Sequence, residues 1–301
     1  MMMACKLAFL SAFVAGASAT DPYYSSVTAG QGFSCGILFA TKRVECWGDG
    51  ALGDSLAALE GKLMDVNHLS ISGGGFHVCG LYYDGEELRV NVKAYCVASF
   101  EDGAEQDLGQ LAIPDLGEGK VWREMSAGGQ HTCGIDNDRM VHCWGTEGED
   151  NRRNLGDNAA LEHRHISAGG FATCGVLLDR TGYCVGDVPQ GQLPEVYSAT
   201  EFTMLEAGGA FSYGLIKGTK ELIKFGPGEA AGDAFLVVES IPTTPPSGFR
   251  SIKTLRIAAG ATHVCATGRR NSKNIARGLP AKGAWCAGTG GEEITGISGQ
   301  A

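Results

Sequence analysis

Cysteine occurs in this chain as a pair inside a repeated unit. When segments are aligned on an Ala-Gly dipeptide (once Gly-Gly), the residue five after its second position reads Cys35, Cys79, Cys133, Cys174, Tyr213 and Cys265. A second cysteine follows at Cys46, Cys96, Cys143, Cys184 and Cys286. The fifth unit carries Tyr213 and Lys224 at the two places, so both members are missing together. Residues that bond to each other are lost as a couple, whereas buried small hydrophobes have no reason to be. The pattern predicts one disulfide within each unit except the fifth, closing loops of about 10 to 20 residues, each worth roughly 2–4 kcal/mol if unstrained. The fifth unit, from Glu206 to Asp233, is expected to be the least stable.

Cysteine bookkeeping also points to a compartment. Met1 to Ala19 carry Lys6, then the apolar run Leu7 to Ala15, then the small residues Ala17-Ser18-Ala19, the order expected of a secretory signal peptide over 1–19. Of the 11 cysteines, Cys5 would leave with that segment and ten would remain, five pairs with none left over. Oxidising compartments permit such pairing. C-x-x-C does not occur, which disfavours zinc ribbons and thioredoxin chemistry. Past the leader, no apolar stretch is long enough for a membrane helix. The mature chain, 20–301, is expected to be a single extracellular domain without a membrane span.

Strand-like stretches such as Ser26 to Gly30 and Leu69 to Gly73 precede each first cysteine, and apolar runs such as Gly36-Ile37-Leu38-Phe39 follow it. Gly 46 in 301 residues, about double the usual share, fits many tight turns between short strands. The anchor glycines Gly30, Gly74, Gly128, Gly169, Gly208 and Gly260 are spaced by 44, 54, 41, 39 and 52 residues. Periods near 40 to 50 without helical patterning point to propeller blades. Units near 26–54, 69–111, 124–157, 165–194, 205–233 and 256–291 are readable. The expectation is an all-β propeller of six blades, with seven as the alternative if the insertions before Gly128 and Gly260 hide a decayed blade. The tail Ile294 to Ser298 resembles the start of another unit and is a candidate for a closing strand beside the first blade.

At Cys133-Gly134-Ile135 and Val141-His142-Cys143-Trp144-Gly145 the chain resembles the regulator of chromosome condensation (RCC1-like) repeat family. Cys35-Gly36-Ile37, Val44-Glu45-Cys46-Trp47-Gly48 and the turn Gly48 to Gly53 carry the same likeness. It is most similar to the secreted, cysteine-paired branch, which includes crinkly-type receptor ectodomains and is similar in fold to the propeller-type beta-lactamase inhibitor protein. The resemblance runs from about Tyr24 to Gly290. It implies a propeller that recognises partners; the founding activity of the family, guanine-nucleotide exchange with chromatin binding, fits poorly with a leader, paired cysteines and acidic balance.

Local chemistry is sparse. Gly48-x-Gly50-x-x-Gly53 matches a dinucleotide fingerprint by letter, yet no strand–helix unit surrounds it, so it reads as the blade's own turn. His77, His131 and His263 share one repeat position and are expected to be structural, each bonding backbone in its own blade. His163 and His165 flank Arg164 and read as solvated edge residues. Trp47, Trp144 and Trp285, next to second cysteines, should pack between blades, whereas Trp122 sits outside that position. No catalytic motif, metal set or cofactor loop stands out, and calcium at Asp49 and Asp54 lacks the ligand spacing of a known loop.

Acids cluster after the second-cysteine strands: Asp49, Asp54, Glu101, Asp102, Glu105, Asp107, Glu147, Glu149, Asp150, Asp187, Glu229, Asp233, Glu292 and Glu293. Equivalent propeller loops emerge on one side, so they are candidates for an acidic binding face; the alternative is ordinary solvated turns. With formal net charge -10, nucleic acid is a poor partner and a protein or surface glycan ligand, basic in character, a better one. The expected function is a monomeric, secreted, non-catalytic binding module without cofactor. The alternative from another class is an extracellular hydrolase or lyase using carboxylates and histidines around the channel.

Overall fold

A computed structural model describes residues 24–30, 33–48, 66–84, 92–98, 107–146, 153–186, 193, 197–209, 211–219, 221–226, 239–241, 249–251, 257–260, 263–270, 282–288 and 294–297. The expected leader, 1–19, lies outside them, as do Gly50 and Gly53 of the turn that follows Val44–Gly48 and the side chains of Trp47, His263 and Trp285. Each readable unit forms one antiparallel sheet in chain order. The first holds β1 (Tyr24–Ala29), β2 (Phe33–Leu38) and β3 (Val44–Gly48); the second β4 (Asn67–Gly73), β5 (His77–Tyr83) and β6 (Val92–Ala98). The third is β7 (Trp122–Ala127), β8 (His131–Asp136) and β9 (Val141–Gly145), and the fourth β10 (His163–Ala168), β11 (Ala172–Leu177) and β12 (Gly182–Gly186). The fifth is β13 (Phe202–Ala207), β14 (Ser212–Ile216), β15 (Leu222–Phe225) and β16 (Glu239–Ile241). In the sixth, β17 (Phe249–Ser251) and β18 (Ile257–Ala259) both pair with β19 (His263–Arg270), followed by β20 (Lys282–Gly288) and β21 (Ile294–Ile297).

The insertion before Gly260 holds β16 and β17, which extend the fifth and sixth sheets instead of forming a sheet of their own. The described part of the insertion before Gly128, 107–121, contains turns and no strand. The tail strand does not lie beside the first sheet; it pairs with β20, placing Ile297 opposite Ala284. An outer strand of the sixth sheet was available to it, and backbone pairing took it there.

Disulfides join Cys35 to Cys46, Cys79 to Cys96, Cys133 to Cys143 and Cys174 to Cys184, with Cα atoms 4.0–4.1 Å apart. That spacing is the narrow, non-hydrogen-bonded pairing of an antiparallel ladder. The backbone places Cys265 opposite Cys286 in the same register, with the sulfurs outside the described residues. In the fifth sheet Tyr213 faces Lys224 there.

Consecutive sheets pack inner strand on inner strand: β4 on β1 and β2, β7 on β4 and β5, β10 on β7 and β8, β13 on β10 and β11, β18 on β13 and β14. The apolar core is divided accordingly into clusters, each between neighbours. The disulfides sit in these joints. Cys79 packs with Trp122, Met125 and Ala127 of the next sheet, and Cys174 with Phe202, Leu205 and Ala207. At the fifth joint Tyr213, 1% exposed, fills the disulfide's place against Ile257 and Val264. The fifth unit thus loses a covalent link and gains a buried ring, which offsets part of the instability expected of it.

Closest approach occurs at the anchor glycines. Gly75, Gly129, Gly170 and Gly209 donate to the carbonyls of Gly128, Gly169, Gly208 and Gly260 of the following sheet at 2.9–3.2 Å. A Cβ on Gly128 would stand 2.6 Å from Gly169 O, and one on Gly208 would stand 2.6 Å from Gly260 O. Only glycine permits backbone to pass backbone this closely. A bulge at one site in each of the first five inner strands, such as Trp122/Glu124 and Phe202/Met204, turns the residue before it to the face it would otherwise avoid. Rings of Tyr24, Trp122 and Phe202 then cover the bare glycines Gly36, Gly134 and Gly214; in the second and fourth sheets Tyr95 and Tyr183 cover Gly80 and Gly175.

The first sheet ends this series differently. Ile71, Met125, Ile166, Leu205 and Ile257 are 0–8% exposed against the preceding sheet, whereas the equivalent Val27 is 54% exposed.

Gly128→Ala should destabilise the protein by about 2 kcal/mol or more, because backbone cannot yield as a side chain would. Gly218, whose added Cβ meets nothing within 4 Å, is the control, and Gly218→Ala should change stability by about 0.5 kcal/mol or less in urea unfolding.

Candidate functional site at the hub

Strand direction fixes what meets at the anchor end of the blades. β7 runs toward Gly128, β8 returns, and β9 comes back so that its last residue, Gly145, pairs with His131 beside the anchor. The same pairing joins Phe33 to Gly48, His77 to Ala98 and Ala172 to Gly186. With Ser212 paired to Phe225 and His263 to Gly288, β3, β6, β9, β12, β15 and β20 all end at the hub, and the acidic stretches follow these strands in sequence. Of the acidic candidates only Asp107 lies among the described residues; it is exposed and accepts a hydrogen bond from Gly109 N at 2.9 Å. Asp49, Asp54, Glu101, Asp102, Glu147, Glu149, Asp150, Asp187, Glu229 and Asp233 lie outside them. Turns at the same end carry Phe76, Gln130 and Phe171 at one repeat position, all exposed.

The histidines do not behave as the sequence suggested. His77 Nε2 lies 2.8 Å from Thr132 Oγ1 and His131 Nε2 2.7 Å from Thr173 Oγ1, each reaching into the next sheet rather than to backbone of its own. Thr132 donates its only hydroxyl proton to Gln110 O at 3.0 Å, so His77 must be the donor, in its neutral Nε2–H form. Burial pushes the His77 pKa down to about 4. Trp144 Nε1 donates to the same Gln110 carbonyl at 2.9 Å, and its ring, packed between the second and third sheets, meets Trp122 at 5.5 Å between centroids.

His163 and His165 are not solvated edge residues. His163 is fully buried, with Nδ1 2.8 Å from Leu161 O and Nε2 2.6 Å from the Tyr183 hydroxyl, and burial lowers its pKa. His165 is held between carboxylates from both neighbouring inner strands: Nδ1 to Glu124 at 2.6 Å and Nε2 to Glu206 at 2.9 Å. Burial alone would lower its pKa, but the attraction of Glu124 and Glu206 outweighs this and holds it well above the ordinary value. Glu206 also accepts from Ser167 Oγ at 3.0 Å, whose oxygen accepts from Ala207 N at 3.0 Å. Three adjacent blades are tied together by one imidazolium. Both of its nitrogens are occupied, so it has no lone pair to act as a base. Among the described residues no group of three His, Cys, Asp or Glu side chains is arranged to hold a metal ion.

Residues 122–152, the third sheet with its exit, match the family model for the Regulator of chromosome condensation (RCC1) repeat. The other sheets repeat its strand order, anchor glycine and register, giving an all-β, RCC1-like propeller fold. A curated relative, the serine/threonine-protein kinase-like protein CCR2 of Arabidopsis thaliana, is 28% identical over 153 residues, 48% of this chain and 19% of that protein. The match thus spans about a fifth of the relative's length. Among solved structures, the entire ectodomain of the Physcomitrella patens receptor kinase CR4 is similar with TM-score 0.59 and 22% identity, over 89% of this chain and 63% of that one. The ectodomain of the Arabidopsis thaliana receptor kinase ACR4 gives 0.57 and 20%, over 89% and 82%. Yeast RCC1 (Prp20), solved bound to Kap60, gives 0.56 and 16%, over 87% and 69%. Among the described residues no helix is long and apolar enough to cross a membrane.

The RCC1-like blades carry histidines of opposite pH response. His77 is neutral when folded, so its contribution is complete above pH 6.5 and is lost as pH falls from 6.5 to about 4. His165, with a raised pKa, contributes fully below 6.5 and loses its contribution as pH rises through the raised value. Urea unfolding should show stability falling by roughly 3 kcal/mol through the His77 window on acidification. The double substitution His77→Phe with Thr132→Val, which copies Phe33 and Val78 of the first joint, should remove most of that loss.

Proposed function

We propose that this chain is a secreted, non-catalytic recognition module that binds a basic segment of a partner protein on the hub end of its blades. The reading is carried by one observation: β3, β6, β9, β12, β15 and β20 all end at the hub, the end that carries the exposed Phe76 and Phe171, and the acidic stretches follow these strands in sequence. Rigid blades carrying unrepeated loops are a general scaffold for recognition. Apolar anchors ringed by charge are the usual anatomy of a protein contact. The likeness to receptor ectodomains supports an extracellular address, as do the four disulfides.

Catalysis is disfavoured by the condition of His165 on the inner strand β10. The hydrolase reading needs a free imidazole, and His165 is bonded on both sides. Nucleotide exchange, the other family reading, calls for an intracellular address that buried disulfides do not suit.

The secreted protein, immobilised and challenged with extracellular proteins, should retain a basic partner at low salt and release it as ionic strength rises. Phe76→Ser and Phe171→Ser together should weaken retention about tenfold or more without changing the melting temperature by more than a few degrees. Retention indifferent to salt and to both substitutions would sink the hub-face reading. Intact mass with and without reductant should show ten protected cysteines and a chain starting at Thr20; free thiols or a retained Met1 would overturn the extracellular assignment.

A further inference from the structure

Two faces stand exposed at places where the other sheets meet a neighbour. On the first sheet Val27 and Ala29 are exposed, whereas Met125 with Ala127, Ile166 with Ala168 and Leu205 with Ala207 are buried under the preceding sheet. Ser34 is half-buried, and its equivalents Val78, Thr132, Thr173, Ser212 and Val264 are 0–2% exposed. On the sixth sheet Ala258 is exposed, at the forward position where Thr28, Ser72, Ser126 and Ser167 meet the next sheet.

Residue chemistry identifies what the first face receives. Tyr24, Val27 and Ala29 repeat the order of ring, apolar chain and alanine found in Trp122, Met125 and Ala127 and in Phe202, Leu205 and Ala207. Those two triads each lie against a disulfide cysteine of the preceding sheet, Cys79 and Cys174. Register places Cys265 opposite Cys286 on the sixth sheet, at the positions of these pairs. The residue two before the first cysteine gives the same answer. A histidine there meets a hydroxyl of the next sheet, His77 with Thr132 and His131 with Thr173. A phenylalanine there meets valine, Phe33 with Val78 and Phe211 with Val264, and in the remaining joint Ala172 precedes Ser212. His263 and Ser34 are the forward and receiving residues that these joints leave unmatched, and they are a histidine and a hydroxyl.

We propose that the sixth sheet of this chain seats on the first and closes the array into a ring of six, with His263 donating to Ser34 Oγ and the Cys265–Cys286 pair covering Tyr24, Val27 and Ala29. A head-to-tail contact repeated from unit to unit closes when the last unit meets the first. Both faces belong to one chain, so their effective concentration favours this union over a second copy. Burying Val27 and Ala29 supplies the apolar gain that drives the interior joints. Ala258 has no hydroxyl to accept from Ala29 N, so the seam lacks a bond that Thr28, Ser72, Ser126 and Ser167 supply elsewhere.

The test is a double-substitution cycle on the secreted full-length chain, read as melting temperature, with mass followed by sedimentation. His263→Phe and Ser34→Val should each lower the melting temperature by roughly 3–6 °C, because each strands one partner of a buried pair. Together they copy the Phe33 and Val78 pair of the first joint and should recover at least half of the summed loss. Val27→Gln should lower the melting temperature by about as much as either single change, whereas Leu178→Gln, at an exposed turn, should leave it within about 1 °C. The chain should sediment as a monomer throughout. The proposal fails if the two losses simply add or if Val27→Gln is as silent as Leu178→Gln. It also fails if the coupling of His263 to Ser34 is confined to dimers or larger species, which would make the occupant a second copy. Where a single variant is not secreted, secretion of the double variant decides: recovery supports the seam and continued failure overturns it. None of these readouts involves a ligand at the hub, so this proposal and the recognition reading stand or fall separately.

Discussion

The structure depends on how closely two backbones can pass at the hub. Each anchor glycine lies under the carbonyl of the next one, and the amide one residue further on donates to that carbonyl. This contact sets the spacing between sheets at their inner edge. Once it is set, the first two strands of each blade face the inner strand of its successor at a distance that side chains must fill. Anything bulkier than hydrogen at the anchor would spread the inner edges and loosen every joint outward from it.

How the joints are filled explains much of the repeat. The residue two before the first cysteine points forward, and its partner is the residue one before the first cysteine of the next unit. Phe33 shares a cluster with Val78, and Phe211 packs with the cluster of Val264. His77 and His131 instead meet Thr132 and Thr173. Apolar meets apolar and donor meets acceptor, so each pair has a chemistry that its neighbours need not share. The disulfide positions follow the same logic, facing forward into the joint. Where the sixth sheet presents Ile257 and Val264, Tyr213 occupies the space and Lys224 extends over the Phe211 ring at 3.9 Å. Removing one cysteine would have left a lone thiol; removing both allowed the joint to be repacked around an aromatic ring.

Much of this was legible in the sequence. Four of the cysteine pairs, the strand positions and the family likeness all rest on signals that recur within a unit, and the coupled loss at Tyr213 and Lys224 pointed to the pairing. What was not legible lies between units. The histidine partners were sought within one blade, whereas they stand in the next; comparing His77 with Thr132 and Phe33 with Val78 across adjacent units would have revealed the rule. The Glu124–His165–Glu206 clamp joins residues from three inner strands, at two different repeat positions, and no spacing within a unit can announce it. His163 and His165 looked exposed because their stretch is polar, yet a bulge and a neighbouring sheet cover them.

One repeated set of bonds between blades reaches forward. Thr28, Ser72, Ser126 and Ser167 accept from backbone amides of the following sheet, at 2.7–3.0 Å, and the glycine amides, His77 and His131 reach forward as well, whereas His68 bonds back to Lys42 O and His165 is held from both sides. The array therefore has a polarity that its individual sheets do not. As the chain emerges from the ribosome, a finished blade still holds acceptors and donors whose partners have not been made. Only the arrival of the next unit closes them, so at each moment the newest blade is the unsatisfied one. A repeat wired this way behaves like a zip with a single open end, advancing toward the C-terminus as each unit is added.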